Sequence, residues 1–435
     1  YTKKHLGEDA VSFRYVSSKL DREIRSFRPD LIGISSVTQN YSKALLLSRM
    51  AKEYGIPVII GGQHISSLPE SLGSGMNVGV RGEGEGTFLD LLHLFRKTGA
   101  FHPENLCGVP GIVFWDREQI VSTLARPAPL SMDEIPHPDR SLIGYARRVY
   151  IHTSRGCRYE CAFCSAKHHW GNIRYASPEY VIEEIAELAK HGARVVRFND
   201  DDLSANHSRL IRISELIRSN GFHKRIKFSC WSRASNITHE VVEAYQAMNV
   251  VAVTLGLESG SDRVLSFYKE GSATVHGNRR AVNLLKDAEI QVTGDFIIGA
   301  PDETEDEIMD TYDFIRTSRL DFATLNILSP LPGTSIWNLC VKRGIVSSSM
   351  SDWSRLSFKF NRNQAKTILV SGKLDYPQFR RLYMKLRRLC IMKAIRAIPH
   401  SPWVGEMPGV IGRRICYWGA RKLRDNWSEP HQVDR

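Results

Sequence analysis

The stretch SRGCRYECAFCSAKHHW, residues 154–170, decides how the rest of the chain is interpreted. It holds three of the eight cysteines: Cys157, Cys161 and Cys164. A structural zinc site needs four ligands, usually two Cys-x-x-Cys pairs, and no second pair follows. His168 or His169 as the fourth ligand is the alternative that keeps zinc open. An iron–sulfur cluster on three thiolates leaves one iron free, so the triplet predicts a cluster that can bind another molecule.

The composition is that of a globular protein. The 435 residues are 42% hydrophobic and 24% charged, enough for two or three domains with their own cores. No apolar run reaches the ~18 residues of a membrane-spanning helix and no leader opens the sequence, so we expect a cytoplasmic protein. The first residue, Tyr1, favours a fragment or a processed start. The isolated cysteines are expected to be buried: Cys107, Cys230, Cys340, Cys390 and Cys416.

Residues 1–100 have the pattern of a partial doubly wound α/β sheet. PDLIGISS and PVIIGG are apolar strands on either side of the amphipathic segment KALLLSRMAKEYG. Such sheets bind ligands at the carboxyl ends of their strands. The candidate binding residues follow three strands: Ser35, Ser36, Thr38, Gly61, Gly62, His64, Gly82 and Glu83. In residues 101–148, GIVFWDREQIVST predicts a hairpin and the proline-rich ARPAPLSMDEIPHPD a linker between domains.

Residues 149–335 alternate between strand and helix patterns. Six strands and five helices make most of a TIM-type barrel, a partial (β/α)6 unit, whose chemistry belongs at the carboxyl ends of the strands. The cysteine triplet follows the first strand, and NDDD, WSRAS and LESGS follow the next three. We therefore expect the triplet to share one face of the barrel with four further residues: Asp200, Asp201, Arg233 and Glu258.

Each of these residues also has a structural interpretation. Among Asp200, Asp201 and Asp202, at least one is expected to cap the following helix. The alternative for Glu258 is a structural ion pair, and for Arg233 a place on the surface. A ligand contact is favoured for a carboxylate buried at a strand end, because an unpaired buried charge is costly.

The triplet spacing, with Phe163 before the last cysteine, resembles the radical S-adenosylmethionine (radical SAM) superfamily. RFNDDDLSAN, LGLESGSDRVLSFYKEG, GDFIIGAPDETEDEI and LSPLPGTSIW are similar, in order, to that family's later motifs. The resemblance implies a 4Fe–4S cluster on the three cysteines, whose open iron binds S-adenosylmethionine and whose electron releases a 5′-deoxyadenosyl radical. It implies an external electron donor of flavodoxin or ferredoxin type. It also implies S-adenosylmethionine contacts from Phe163, Asp200, Asp201, Arg233 and Glu258.

Three segments of the first part, LIGISSVTQN, VIIGGQHISSLPESL and VRGEGEGTFLDLL, resemble the cobalamin-binding domain of one large radical SAM subfamily. The resemblance implies that backbone and hydroxyl groups of the strand ends contact the nucleotide tail and corrin of cobalamin. Fewer residues precede PDLIGISS than in that subfamily, so we expect a truncated or reduced sheet.

The resemblance also implies the reaction. The leading hypothesis is C-methylation of an unactivated carbon in a small or lipid-like metabolite. The alternatives are a radical SAM cyclase or oxidase and a tRNA methylthiotransferase, which would need a second cysteine triplet and an RNA-binding β domain. A catalytically dead cobalamin-binding sensor is the non-enzyme alternative.

Residues 336–435 form the predicted basic helical tail. Residues 376–424 carry twelve Lys or Arg and one acid, and so hold nearly all of the net charge of +12. The helical spacing of FRRLYMKLRRLCIMKAIRAI aligns six side chains on one face: Phe379, Leu382, Tyr383, Leu386, Leu389 and Cys390. Packing on the barrel, a peripheral contact at the inner face of the membrane, and RNA are the three alternatives. We expect no nucleic-acid partner.

Overall fold

The computed structural model describes residues 1–7, 10–16, 19–129, 131–360 and 367–403, which form two α/β units. The elements of the first unit are α1 (Thr2–Leu6), α2 (Leu20–Phe27), β1 (Ile32–Ser35), α3 (Tyr41–Glu53), β2 (Val58–Gly61), α4 (Gln63–Ser67), β3 (Val78–Val80), α5 (Glu85–Thr98), α6 (Pro103–Leu106), β4 (Ile112–Asp116) and β5 (Gln119–Ser122). The second unit begins with β6 (Arg148–Ile151), β7 (Ser154–Arg155), α7 (Ala166–Trp170), β8 (Arg174–Tyr175), α8 (Pro178–Lys190), β9 (Val195–Phe198), α9 (His207–Ser219), β10 (Lys227–Ser232) and α10 (His239–Ala247). It continues with β11 (Val250–Glu258), α11 (Asp262–Lys269), α12 (Val275–Asp287), β12 (Gln291–Ile298), α13 (Glu305–Thr317), β13 (Phe322–Ile327), α14 (Ser335–Lys342) and α15 (Tyr376–Ala397).

The first sheet has five strands in the order β1-β2-β3-β4-β5. Strands β1, β2 and β3 are parallel, as the sequence predicts, and the three apolar residues that open β2 are buried. The predicted hairpin forms as β4 and β5, and β4 pairs with β3 in the antiparallel direction. The hairpin therefore extends the first sheet. From the sequence the hairpin was expected in a separate connecting segment, because hairpin signals do not show which sheet edge the hairpin will join.

The second sheet is a partial barrel of six parallel strands in the order β13-β12-β11-β10-β9-β6. All six predicted strands form, and so do the five predicted helices α8, α9, α10, α12 and α13. A side chain caps the amino-terminal end of each of these helices. At α13, Thr304 and Glu307 form a reciprocal capping box. Helix α11 directly after β11 was not predicted, because its eight residues fall short of the roughly ten to twelve at which periodicity separates a helix from other structure.

Side chains alternate along these strands, so one face of the sheet differs from the other. The outward face is apolar and packs beneath the helices, with residues such as Val196, Phe198, Leu255 and Phe296 fully buried. The alternate residues point to the inside of the barrel.

Helix α15 completes the barrel as its sixth helix. Its six predicted apolar side chains are all buried, and the helix packs on β13 and α13. Its amino-terminal end meets the carboxyl end of β12, where Phe379 lies against Gly299. Its other end reaches the start of the strands, where the Lys393 ammonium donates to the carbonyl oxygens of Ser318 and Leu320 at 2.9 and 3.1 Å. Of the three alternatives for this helix, its apolar face therefore packs on the barrel.

The segment between β13 and α15 returns to the first unit. Trp353 is 2% exposed and meets Tyr41 edge-on, with ring centroids 6.2 Å apart. It also stacks on Trp337 of α14, and its backbone N–H donates to the Ser42 hydroxyl at 3.2 Å. One apolar core thus contains residues of both units.

Other expectations are met in part. Cys230, Cys340 and Cys390 are buried as expected, whereas Cys107 is exposed, and Cys416 lies outside the described residues, as does the basic tail beyond residue 403. Within the part of the chain that the structure describes, no helix has the length and apolar character to cross a membrane.

Candidate active site at the facing strand ends

The cysteine loop begins at the carboxyl end of β6 and is fixed by Asp200, which follows β9. Asp200 is 2% exposed. Its carboxylate accepts from the backbone N–H groups of Thr153 and Ser154, at 2.6 and 3.1 Å, and from the Thr153 hydroxyl. The short ribbon of β7 and β8 then holds the two ends of the loop together. Asp200 is therefore used to position the cysteine loop.

The next two aspartates have different roles. Asp202 caps the helical turn at Leu203–Ala205 by accepting from Ser204, and it also accepts from the backbone N–H of Arg233 at 3.2 Å. This is the capping role expected of at least one aspartate in the group. Part of Asp201 is accessible to solvent, but the surrounding protein, followed by the charge of Asp200, raises the pKa of its carboxyl group. Since Asp200 and Asp202 are hydrogen-bonded within the protein, Asp201 is the aspartate of this group that is available to a ligand.

Arg233 lies at the cysteine loop. One Nη donates to the Cys161 sulfur at 3.3 Å, and the guanidinium lies 3.7 Å from the centroid of the Tyr159 ring. The other Nη donates to the Ser272 hydroxyl. With 6% of its surface exposed, Arg233 is a buried cation beside the thiols and not a surface arginine.

The surroundings of Cys157 and Cys164 favour the protonated thiols. Part of Cys164 is accessible to solvent, but the surrounding protein raises the pKa of its thiol to about 12. Burial also raises the pKa of Cys157, and Asp201 adds to both effects. Metal binding must displace these protons. Among the described residues no three His, Cys, Asp or Glu side chains are already arranged as a metal site, so the assignment of the three ligands stays a prediction.

Glu258 ends β11 in the left-handed region, with φ of 61°. Its carboxylate pairs with Lys269 of α11 at 2.8 Å, and both side chains are less than a tenth exposed. The Lys269 ammonium is 5.9 Å from the centroid of the Phe163 ring, which places the Glu258 pair next to the cysteine loop. Glu258 thus forms a structural ion pair, which was the alternative to a ligand contact. Sequence analysis missed Lys269, because its partner is eleven residues away and on a different element.

The predicted cobalamin residues lie along one edge, since β1, β2 and β3 end side by side. Gly62, with φ of 101°, brings the second loop against the first: a Cβ at this position would lie 2.5 Å from the Ser36 carbonyl oxygen. Ser36 is buried and its hydroxyl bonds to Asn40 at 2.8 Å. Beyond Gly82, where φ is 71°, an added Cβ would meet no atom within 4 Å. The edge is tightly built between its loops and open on its outer side.

His64 is fully buried within this edge. Its ring stacks on Tyr41 with centroids 3.8 Å apart, lies 4.6 Å from the Trp353 ring, and its Nδ1 is 3.1 Å from the Thr38 hydroxyl. Burial lowers the pKa of His64 to about 3, so the ring is neutral near pH 7. A contact between His64 and a cofactor stays a prediction, and Nε2 is the ring nitrogen left for it.

Unpartnered polar atoms test whether these loops suit a large polar ligand. Four buried side-chain atoms with no partner among the described residues belong to the loops at this edge: Gln39 Nε2, His64 Nε2, Ser67 Oγ and Arg81 Nε. Buried polar groups are usually hydrogen-bonded, and each exception needs an explanation. A ligand rich in amide and phosphate groups, such as cobalamin, fits these donors and acceptors.

This edge faces the cysteine loop. Glu83 pairs with both Arg155 and Arg174, the residues of the β7–β8 ribbon, and Arg155 also reaches Glu85 at 2.6 Å. Gln63 donates to the Ser165 hydroxyl just after Cys164. Glu83, which was predicted to contact a cofactor, therefore forms ion pairs between the two units. The strand ends of the first sheet therefore lie against the cysteine loop of the barrel.

Comparisons with known proteins agree with this arrangement. Residues 151–315 match the model of the radical SAM superfamily, and residues 10–92 match the B12 binding domain. An uncharacterised methyltransferase of Pyrococcus horikoshii is 31% identical over 352 residues, which cover 78% of this chain and 75% of the relative. The chain belongs to the cobalamin-binding radical SAM enzymes. Its cofactors are a 4Fe–4S cluster, S-adenosylmethionine and cobalamin.

One further relative and two solved structures are similar to this chain. The anaerobic magnesium-protoporphyrin IX monomethyl ester cyclase of Cereibacter sphaeroides is 26% identical over 425 residues, covering 93% of this chain and 66% of the cyclase. The radical SAM methyltransferase TsrM of Kitasatospora setae has the same fold, with a TM-score of 0.67 and 17% identity over 83% of this chain and 78% of TsrM. The cobalamin-dependent radical enzyme OxsB gives a TM-score of 0.64 at 18% identity over 93% of this chain and 64% of OxsB.

The burial of His64 predicts a pH-dependent stability. Its folded pKa of about 3 lies below the ordinary 6.5, so this contribution is complete above pH 6.5 and is lost as the pH falls towards 3. The loss is about 1.4 kcal/mol per pH unit within that window. Urea unfolding of the chain between pH 7 and pH 4 measures it. His64→Phe should flatten this slope, whereas the exposed His191→Phe variant should keep it. An unchanged slope in His64→Phe would show that His64 does not titrate on unfolding.

Proposed function

We propose that this enzyme transfers a methyl group to a carbon atom of a small molecule. The observation that carries the proposal is the set of contacts that joins the carboxyl ends of the first sheet to the cysteine loop. Glu83, Arg155 and Arg174 lock this arrangement with side chains that are less than a fifth exposed. Two cofactors bound at these strand ends would reach one substrate from two sides.

The roles of individual residues follow from their places. Cys157, Cys161 and Cys164 would hold the cluster, and Arg233 and Asp201 would meet the charged ends of the methionine moiety of S-adenosylmethionine. The Glu258 carboxylate, next to Phe163, would accept hydrogen bonds from the same ligand. The loops at 35–40, 61–64 and 82–83 would hold cobalamin. When bound, the cluster with S-adenosylmethionine supplies radical chemistry and cobalamin supplies methyl transfer.

Methylation is favoured over the alternatives by the relatives. The methyltransferase from Pyrococcus horikoshii is more similar to this chain than the cyclase is. A tRNA-2-methylthio-N(6)-dimethylallyladenosine synthase of Shewanella baltica matches only 54% of the chain, at 28% identity. The predicted flavodoxin- or ferredoxin-type electron donor is part of the proposal, because the cluster must be reduced from outside.

Membrane contact of the basic helix also stays a proposal, in a restricted form. The six-residue apolar face of α15 is buried in the barrel, so a membrane could meet only the opposite, mainly basic side of the helix. Arg380, Arg381 and Arg388 are exposed there. Such contact would be electrostatic, and the chain should then co-sediment with anionic vesicles but not with neutral ones. Binding to neither, or to both equally, would contradict it.

Loss of any cluster cysteine should abolish radical formation. We expect anaerobic reconstitution to give about four irons per chain. Cys157→Ala, Cys161→Ala and Cys164→Ala should each lose this iron and the release of 5′-deoxyadenosine from S-adenosylmethionine, because each removes a thiolate ligand. Cys107→Ala, at an exposed position away from the triplet, is the matched control and should behave as the unchanged chain. Deoxyadenosine formation by any of the three variants would contradict the proposed cluster.

A bulky side chain at the end of β2 should block corrinoid binding. Gly61 has an ordinary backbone conformation, and an added Cβ would meet only Val80, at 3.9 Å. Gly61→Phe should therefore fold while its ring occupies the space at the end of β2, and loading with hydroxocobalamin should leave at least tenfold less corrinoid absorbance than in the unchanged chain. Gly33→Ala, whose Cβ meets nothing within 4 Å, should load normally. Equal loading of Gly61→Phe would place cobalamin elsewhere.

A further inference from the structure

The inner face of the barrel carries polar side chains at mid-height. Paired residues on neighbouring strands share a face, and so do residues two positions apart on one strand. Arg197 pairs with Ser229, two residues before Trp231, and Thr254 pairs with Thr293, two residues before Asp295, so the strand register puts the polar residues on one face. From β9 to β13 these residues are Arg197, Trp231, Thr254, Asp295 and Thr324. All five are half-buried, in contrast to the fully buried outward face. A barrel interior with only a structural role is filled by bulky branched side chains, so this one is built to contact a polar molecule.

Arg197 and Trp231 form the basic side of this interior. The guanidinium lies 4.7 Å from the centroid of the Trp231 ring, and one Nη donates to the Thr254 hydroxyl at 3.3 Å. Arg197 Nε and Trp231 Nε1 are both buried and neither has a partner among the described residues. Leaving a buried donor unpaired costs about 1–3 kcal/mol. Two such donors beside a fixed positive charge suit a negatively charged acceptor.

Glu258 and Asp200 do not accept hydrogen bonds from Arg197 or Trp231, because both carboxylates have other partners. Glu258 pairs with Lys269, and Asp200 binds the backbone at the start of the cysteine loop. Among the described residues, no carboxylate lies within the 4.0 Å of an ion pair from Arg197. The positive charge of Arg197 is therefore available to a ligand.

Asp295 faces this cation from the other side of the barrel interior. It lies on β12 beside Thr324, and the register places it level with Gly256, two residues before Glu258. Burial, followed by the charge of Glu258, raises the pKa of Asp295 to about 6. Near neutral pH its carboxyl group can accept a hydrogen bond or donate one. It suits a hydroxyl or amino group.

We infer that the substrate is a small polar molecule whose oxyanion group, a carboxylate or a phosphate, binds Arg197 and Trp231, and whose hydroxyl or amino group faces Asp295. Calling this molecule the substrate rests on the proposed function; the oxyanion site itself does not. The inference also narrows the substrate class, because placing a lipid-like chain among these groups would leave them unpaired.

Fluorine NMR of the full chain labelled with 5-fluorotryptophan tests the site. Trp231→Phe identifies the Trp231 signal. Acetate and methyl phosphate are the oxyanion probes, and acetamide is the neutral control. At least one oxyanion should shift the Trp231 signal saturably, with a Kd of about millimolar as expected for so small a ligand. Acetamide should not. Whichever oxyanion binds more tightly separates a carboxylate from a phosphate.

Two arginine variants then locate the binding. Arg197→Gln should weaken it at least about tenfold, because it removes a charged hydrogen-bond donor. Arg233→Gln should retain it. No saturable shift, or a shift lost in Arg233→Gln and kept in Arg197→Gln, would overturn the inference. Cleavage of S-adenosylmethionine by the unchanged, reconstituted chain tests the proposed function separately: cleavage without oxyanion binding refutes only the inference, and oxyanion binding without cleavage refutes only the proposed function.

Discussion

The carboxylate of Asp200 is the constraint on which the site depends. One buried side chain accepts three hydrogen bonds from Thr153 and Ser154, and so sets the point at which the chain leaves β6 and enters the cysteine loop. A charge in that position is stable only while these donors surround it. The loop direction, the β7–β8 ribbon and hence the place of the three thiols follow from it.

From this point the structure is organised by two sheet edges that face each other. Parallel strands gather their loops at one edge, and each unit turns that edge towards the other. Arg155 and Arg174 leave the ribbon on either side of the cysteine loop and meet on Glu83, so the groups that hold the loop closed also hold the units together. Arg233 and Lys269 bring further positive charge to the same region. The cations of this site are therefore largely paired with carboxylates, whereas Arg233 lies against the Cys161 sulfur.

Much of this could be predicted from the sequence, for identifiable reasons. Strand and helix periodicity located the barrel elements, and the loop of Cys157, Cys161 and Cys164 lies at the carboxyl end of β6, where the pattern placed it. Residues whose partners are far away in the chain were not predictable, such as Lys269 for Glu258 or Arg174 for Glu83. Packing of the α15 face on the barrel was one of three alternatives, and its place as the sixth barrel helix was not predicted, because 48 residues separate it from β13. Arg197 and Asp295 carried a signal that was missed: each is a charge in the middle of an apolar strand, at a position whose neighbours on both sides face the core.

The excursion between β13 and α15 has a consequence for the relation between the two units. The chain passes from the first unit to the barrel, returns to place Trp353 against Tyr41, and goes back to the barrel for its last helix. The last barrel helix, α15, therefore follows a segment that packs on the first unit. In the sequence the two units look like separate modules. Exchanging either unit for a homologous one would also require replacing the segment that packs between them. We therefore expect the two units to be inherited together and to diverge together.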